Sequence, residues 1–379
     1  MHTPHTFYEF FAGGGMVRAG LGSAWQCLTA NDLCPKKAAT YAANWGGTHL
    51  VVRDVHAVTT AELPGHADLA WGSFPCQDLS IAGMGAGLDG ARSGAFWGFW
   101  NLMRGLVREQ RKPKIIVLEN VIGALTSHGG KDFASIANAL AGEGYRFGAM
   151  VIDAVHFLPQ SRPRLFFVAA DTQLHIPDAL QHWTSTQAWH PDALIRAHNR
   201  LPGNQQAQWV WWSPPLPAAP LLRIEHFIDA GIPDSTWHSA ETTANLIASM
   251  TPTNRSKLIA AQAGGVTRVG TIYRRTRNGI VRAEVRFDGI SGCLRTPTGG
   301  SSRQTLIVVE GPRIRSRLLS AREAARLMGL PDGYQLPQRY NDAYHLVGDG
   351  VAVPVVRHLA QHILAPVLAA NISASKIAA

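Results

Sequence analysis

TFYEFFAGGG, residues 6–15, runs an apolar β-type segment straight into three glycines. A strand at Thr6–Phe10 that turns at Gly13–Gly15 into a helix is a typical opening of an α/β sheet, because glycine lets the backbone come close to a ligand at a helix N-terminus. The G-x-G-x-x-G spacing of dinucleotide-binding turns is missing, since Met16 and Arg18 follow. Taken alone, the turn fits a ligand-free strand-to-helix corner as well. Further along, Gln26–Ala30 reads as a second strand, followed by a helix from Pro35 to Trp45, and Asp68–Ser73 as another strand. KIIVLE, Lys114–Glu119, holds a continuous apolar run between its charged ends, as expected for a strand covered on both faces. Gly148–Val155 and Arg164–Ala169 lie too close together for a crossover helix and are expected to pair antiparallel, giving a sheet mixed at one edge.

The pattern changes after Asp171. From there to Pro220 the chain is rich in His, Trp, Gln and Pro with little periodicity (QWVWWSPPLPAAP), and Arg268–Arg303 is studded with arginine. Ser320 stands three residues before Glu323, a capping box opening a helix over Ser320–Met328; a Gly-Asp-Gly turn and a helix from Pro354 to Ala369 close the chain. With 46% hydrophobic residues in 379, the chain can bury a real core, which excludes a disordered protein. A net charge of +9 favours a polyanionic partner. The four cysteines (Cys27, Cys34, Cys76, Cys293) show neither zinc-ligand nor disulfide spacing, so no metal is expected and a reducing cytoplasm fits. The N-terminus lacks a secretory pattern and no long uninterrupted apolar run suggests a membrane span.

Chemistry concentrates at the expected carboxyl ends of strands, where open α/β sheets bind ligands. Asp32 follows the second strand, where an α/β nucleoside site places a carboxylate for ribose hydroxyls, and Asp54 follows a third, in VVRDV; taken singly, each reads first as a helix cap or a solvated turn. Cys76 sits in SFPCQDLS just past a strand, and the glycine-rich Ile81–Gly94 that follows reads as a mobile lid beside its thiol. Glu119-Asn120-Val121 ends the KIIVLE strand, and Gln160-Ser161-Arg162-Pro163-Arg164 offers two guanidinium groups on an extended segment.

In this order, F-x-G-G-G, P-C-Q, E-N-V, Q-x-R-x-R, a variable region and G-D-G-V resemble the motif set of DNA cytosine-5 methyltransferases, over about residues 6–170 and 288–365. The resemblance implies an S-adenosylmethionine-dependent methyltransferase fold, a Rossmann-like mixed sheet with helices on both faces, plus a smaller irregular β-rich target-recognition domain. The implied boundaries are 1–172 and 336–379 for the catalytic part, 176–312 for recognition, and 313–335 as a hinge. It implies Cys76 as nucleophile, with Glu119, Arg162 and Arg164 around the cytosine. It also implies Phe11, Gly13, Gly15, Asp32, Asp54, Pro75, Gly350 and Val351 as the S-adenosylmethionine site. Ser80, Arg92, Gln160, Arg274, Arg275, Arg277 and Arg303 are the expected DNA contacts. Two residues depart from the family pattern: Asp349 stands where Asn is usual, and Leu33 replaces an aromatic beside the ribose-binding acid. The expected partner is double-stranded DNA read by a monomer in a prokaryotic or phage setting, with a restriction endonuclease acting separately. RNA methylation, a silent DNA-binding protein and a nicotinamide oxidoreductase are the alternatives; the last has the wrong glycine spacing.

Overall fold

The computed structural model describes residues 4–75, 94–218, 222–229, 231–277, 279–295 and 303–377. It divides into two compact units. The first comprises Met1–Ile152, Pro163–Pro217 and Val351–Ala379, the second Asp153–Arg162 and Ala218–Gly350.

The first unit opens with β1 (His5–Phe10), α1 (Met16–Leu21), β2 (Trp25–Asp32), α2 (Pro35–Trp45), β3 (Leu50–Val52) and β4 (Leu69–Gly72). It continues with α3 (Ala95–Arg108), β5 (Ile115–Val121), α4 (Lys131–Gly142), β6 (Tyr145–Asp153) and β7 (Pro163–Asp171). The seven strands stand in the order β3-β2-β1-β4-β5-β7-β6. Pairing is parallel across β3, β2, β1, β4 and β5, and β7 runs antiparallel to β5. The sheet is therefore mixed, as expected, but the reversed strand lies one place in from the edge.

Alternation along β1 sends Tyr8 and Phe10 into a core shared with Phe96, Phe99 and Leu106 of α3 and Phe133, Ile136 and Leu140 of α4. Phe10 meets Phe99 edge-on at 5.1 Å between ring centroids. Burial of six of the seven residues of β5 explains its unbroken apolar run.

Beyond β7, the Trp-rich segment contributes β8 (Gln181–His182), α5 (Asp192–His198), α6 (Gly203–Gln206) and β9 (Trp211–Trp212) to this same unit. Trp189 and Trp212 are fully buried there, and Trp209 packs on Phe133 and Phe147. The boundaries expected at 172 and 176 thus differ from the compact units, because these aromatic rings attach the segment to the first unit.

The second unit holds α7 (Ala240–Ala248), α8 (Pro252–Ala263), β10 (Arg268–Arg277), β11 (Ile280–Arg286), β12 (Thr305–Glu310), β13 (Arg313–Leu318), α9 (Ala321–Arg326) and α10 (Tyr340–Asp349). Its sheet is antiparallel, in the order β11-β10-β12-β13. Ile272, Ala283, Val285, Ile307 and Val309 face Met250, Leu258 and Ala261 in its core. Residues 313–335, expected as a hinge, instead supply an inner part of this unit. Arg317 and Glu323, both essentially without solvent exposure, pair in fork geometry at 2.6 and 2.7 Å. Glu323 also accepts the N–H groups of Ser320 and Asp229, the first completing the expected capping box.

Desolvation pushes the Glu323 carboxyl up, but the Arg317 bonds and the two N–H donors prevail and hold it below its ordinary value. The pair's contribution is therefore present above the ordinary Glu range and is lost as acid titrates Glu323 through its lowered value. Glu323→Ala leaves a buried guanidinium unpaired and should destabilise the second unit by about 3–5 kcal/mol in denaturant unfolding at neutral pH. An unchanged midpoint would contradict the role given to the pair.

The expected Gly-Asp-Gly turn is instead the end of α10, since Gly348 and Asp349 are still helical. The chain then returns to the first unit as α11 (Val353–Leu359), a π-helical turn (Ala360–Leu364) and α12 (Ala365–Ile377). The stretch Tyr340–Ile372 is apolar enough to pass a length test for a membrane span. It is broken at 350–352, however, and Val356, Leu359, Ile363, Leu364 and Val367 are buried.

Candidate active site

The turn after β1 has three residues in the left-handed region: Phe11 at φ 59°, Gly13 at φ 56° and Gly15 at φ 76°. Holding a phenylalanine there costs on the order of 1 kcal/mol, so the surroundings must fix the turn. Asp32, at the end of β2, does much of this. Its two carboxylate oxygens accept the N–H of Gly13 and the N–H of Cys34, each at 2.7 Å. Ala12 N–H donates to the Asn31 carbonyl at 2.9 Å, and Trp45 Nε1 donates to the Gly14 carbonyl at 3.0 Å.

The turn is packed beneath and open at Gly13. A Cβ on Gly15 would lie 2.4 Å from Trp45 Nε1 and 2.9 Å from Tyr41, whereas a Cβ on Gly13 would meet nothing within 4 Å. Beside it, Leu33 is 65% exposed. An open glycine turn, a half-buried Phe11 and an adjoining carboxylate fit a nucleoside with a charged tail, which is what S-adenosylmethionine presents. The asymmetry is measurable. Gly15→Ala combines a left-handed penalty with a clash and should cost about 2–4 kcal/mol in unfolding free energy. Gly13→Ala carries the backbone penalty alone, about 1–2 kcal/mol. Equal losses would contradict the packing described.

Asp54 accepts the His56 N–H at 2.9 Å and so caps the short turn Val55–Ala57. Sequence reasoning passed over Asn31, although it is buried and its amide donates to the Val51 and Arg53 carbonyls, fastening the end of β3 to β2. Nothing in a lone Asn inside a strand signals this.

At the carboxyl end of β5, Glu119 is 7% exposed and pairs with Arg164 at 3.3 Å. The two lie diagonally across the β5–β7 ladder, where Val121 is the partner of Arg164 and Glu119 of Phe166. Asn120 Nδ2 donates to the Phe74 carbonyl at 3.2 Å, linking the end of β5 to the segment that leaves β4. Pro75, half-buried, is the last described residue of that segment. Cys76, Ser80, Arg92 and most of the expected lid lie outside the described residues.

Two expected site residues do something else. Gln160 was expected at DNA but has no solvent exposure. Its amide donates to the Leu327 carbonyl at 2.6 Å and accepts the Leu294 N–H at 3.2 Å, so it is fully engaged inside the second unit. Arg162 was expected beside the cytosine. It is 2% exposed and donates to the carbonyls of Leu294, Gly348 and Gly350, bracing the second unit around the end of α10. Gly350, expected at the cofactor, is thus one of its anchors, and Val351 is a buried residue of the first unit.

In the second unit, cross-strand register puts Arg275 opposite Arg282 and places Arg286, Arg313 and Arg315 on the same sheet face. Arg275 stacks on Tyr273 and lies 3.9 Å from Glu284. Arg274 is exposed on the other face, and Arg277 ends β10. Arg303 donates to Asn341 and lies over Tyr340. Arg313 and Arg315 were missed because the expected recognition boundary stopped at 312.

Comparison with known proteins gives a consistent result. Residues 5–365 match the family described as C-5 cytosine-specific DNA methylase. The type II methyltransferase M.HhaI of Haemophilus parahaemolyticus is 25% identical over 360 residues, covering 94% of this chain and 93% of that protein. The type II methyltransferase M.NlaX of Neisseria lactamica is 25% identical over 370 residues, covering 96% and 97%. Among solved structures, the Schizosaccharomyces pombe Dnmt2 methyltransferase superposes with a TM-score of 0.62 at 18% identity, over 96% of this chain and 99% of that one. The Entamoeba histolytica methyltransferase EhMeth gives a TM-score of 0.62 at 13% identity, over 94% and 97%. At such identities the solved structures speak for the fold.

Proposed function

Since the chain belongs to the C-5 cytosine-specific DNA methylase family and is a DNA (cytosine-5-)-methyltransferase, we propose that it methylates a flipped-out cytosine within a specific duplex sequence, with Cys76 as the nucleophile. The observation that carries this reading is the Glu119–Arg164 pair at the carboxyl end of β5, fastened through Asn120 to Phe74, two residues before Cys76. S-adenosylmethionine, when bound at the turn of Phe11, Gly13 and Gly15 beside Asp32 and Asp54, supplies an electrophilic methyl group.

The chain's own residues make C5 of cytosine reactive. The thiolate of Cys76 adds to C6, which breaks the aromaticity and gives C5 enamine character. Glu119 faces N3 and Arg164 faces O2, stabilising the charge that develops on the ring. After C5 has taken the methyl group, a base removes the C5 proton, the C5–C6 double bond re-forms and the thiolate leaves. A stacked base cannot reach the thiol, so the target is extruded at a cost of a few kcal/mol. The basic second unit holds the duplex, with Arg275, Arg282, Arg313 and Arg315 joining Arg274, Arg277 and Arg303 at phosphates and base edges. The enzyme acts as a monomer and as the modification partner of a separate endonuclease, in line with the type II names of its relatives.

Binding should weaken steeply with salt: neutralising about six phosphates predicts on the order of 10³-fold lower affinity between 50 and 200 mM salt. A flat salt profile would contradict a phosphate-held duplex. Bisulfite sequencing of plasmid DNA from cells expressing the protein tests the activity itself. The expected result is protected cytosines in one short sequence context; uniformly converted plasmid alongside methylated transfer RNA would favour RNA as substrate.

A further inference from the structure

The glycine turn is held from two sides. From β2, the Asp32 carboxylate takes the Gly13 N–H and the Asn31 carbonyl takes the Ala12 N–H. From α2 comes Trp45, the last residue of that helix, whose Nε1 donates to the Gly14 carbonyl at 3.0 Å. The Gly15 N–H, at the other end of the same peptide, donates to the Ala12 carbonyl at 2.8 Å. Because a peptide is planar, bonds at both its polar ends fix its orientation. The indole also fills the space behind Gly15, where a Cβ would lie 2.4 Å from Nε1, while Gly13 faces open space. Trp45 stands on the closed side of the turn, and the open side is left for a ligand.

What steadies the indole is a bracket from α1. The Arg18 guanidinium lies 5.3 Å from the Trp45 ring centroid and 5.9 Å from that of Tyr41, one helical turn earlier in α2. It donates to the Tyr41 hydroxyl at 3.2 Å and to His49 Nε2. Tyr41 is fully buried, so these bonds tie the guanidinium to a fixed point beside the indole. Helices α1 and α2 meet through one cation over two aromatic rings, and the Gly14 carbonyl is where that contact reaches the turn.

We propose that Trp45 is a positioning residue for cofactor binding: its indole N–H, steadied by Arg18, sets the plane of the Gly14–Gly15 peptide and with it the turn on which S-adenosylmethionine rests. This rests on the cofactor reading given above. Trp45 acts through the backbone of Gly14 and Gly15 and not by touching the ligand. Its loss is therefore felt in cofactor affinity and not in the chemical step, which falls to Cys76, Glu119 and Arg164.

The test compares wild type with Trp45→Phe, which keeps an aromatic ring and removes the N–H, and with Arg18→Leu, which removes the bracket. Calorimetric titration with S-adenosylmethionine, steady-state kinetics and thermal midpoints are read together. Trp45→Phe should bind the cofactor about fivefold more weakly, the worth of one hydrogen bond. Its KM for the cofactor should rise to match, with kcat at saturating cofactor and KM for DNA as in wild type. Arg18→Leu should move affinity in the same direction, and the double variant should lose less than the two losses multiplied, because the two side chains act on one turn. A merely structural tryptophan would lower the midpoint and leave KM for the cofactor at the wild-type value; that result would overturn the proposal, as would a loss confined to kcat. If Trp45→Phe does not fold, Arg18→Leu decides, and wild-type cofactor affinity in it would overturn the proposal. Wild-type protein that binds no S-adenosylmethionine would overturn the cofactor reading and the proposal together, whereas binding that Trp45→Phe leaves unchanged would overturn the proposal alone.

Discussion

Cys76→Ala protein should bind duplex DNA within a few-fold of wild type and methylate it at a rate lower by on the order of 10⁴-fold or more. The asymmetry follows from the chemistry. Binding draws on many phosphate contacts, whereas C5 of an intact cytosine ring is a poor nucleophile and only a bond at C6 changes that. A serine at the same position keeps the size but offers a weakly acidic hydroxyl in place of an easily ionised thiol, so Cys76→Ser should fail nearly as badly. Steady-state turnover beside an electrophoretic binding assay checks both halves. Turnover within tenfold of wild type would remove Cys76 from the mechanism.

If the carboxyl acts on the ring as proposed, Glu119→Gln should lower kcat by on the order of 10²–10³-fold with little change in KM for DNA. The same substitution leaves Arg164 with a neutral partner in a largely buried place, so a loss of stability accompanies it. The thermal midpoint separates the two effects: a merely structural pair would move stability and leave kcat of the folded fraction intact. Arg164→Lys should also fail under the proposed mechanism, since an ammonium cannot reproduce the planar fork that pairs with Glu119 and is assigned to the base's carbonyl oxygen.

Regular burial made much of the first unit legible in the sequence. Pro35–Trp45 was readable as a bounded helix-forming run, of which Ala38, Thr40 and Tyr41 are buried, and the KIIVLE strand as an unbroken apolar run that the structure buries. The Trp-rich segment after Asp171 was read as irregular because its rings attach by isolated aromatic contacts, such as Trp209 on Phe133, that follow neither helical nor strand spacing. Helix α8 was missed for a related reason: only Leu258 and Ala261 of its residues are buried, too few to print a stripe.

Among the expected site residues, the glycine turn and Glu119 stand at strand ends as read from the sequence, while the pairing of Glu119 with Arg164 across the β5–β7 ladder was not foreseen. Gln160 was misread because a polar residue in a recognised motif looks like a ligand contact. Its bridge to Ser291 joins segments 131 residues apart and buries it. Glu9 shows the same limit from the other side: one acid in TFYEFF gives no hint that it is buried.

The most direct measurement uses a duplex carrying 5-fluorocytosine at the target position, incubated with the enzyme and S-adenosylmethionine, followed by proteolysis and mass analysis. Fluorine at C5 cannot leave as a proton does, so a thiol that has added to C6 stays attached. The account predicts a covalent complex whose DNA-linked peptide contains Cys76. A methylating enzyme that forms no complex, or one linked through another residue, would contradict it.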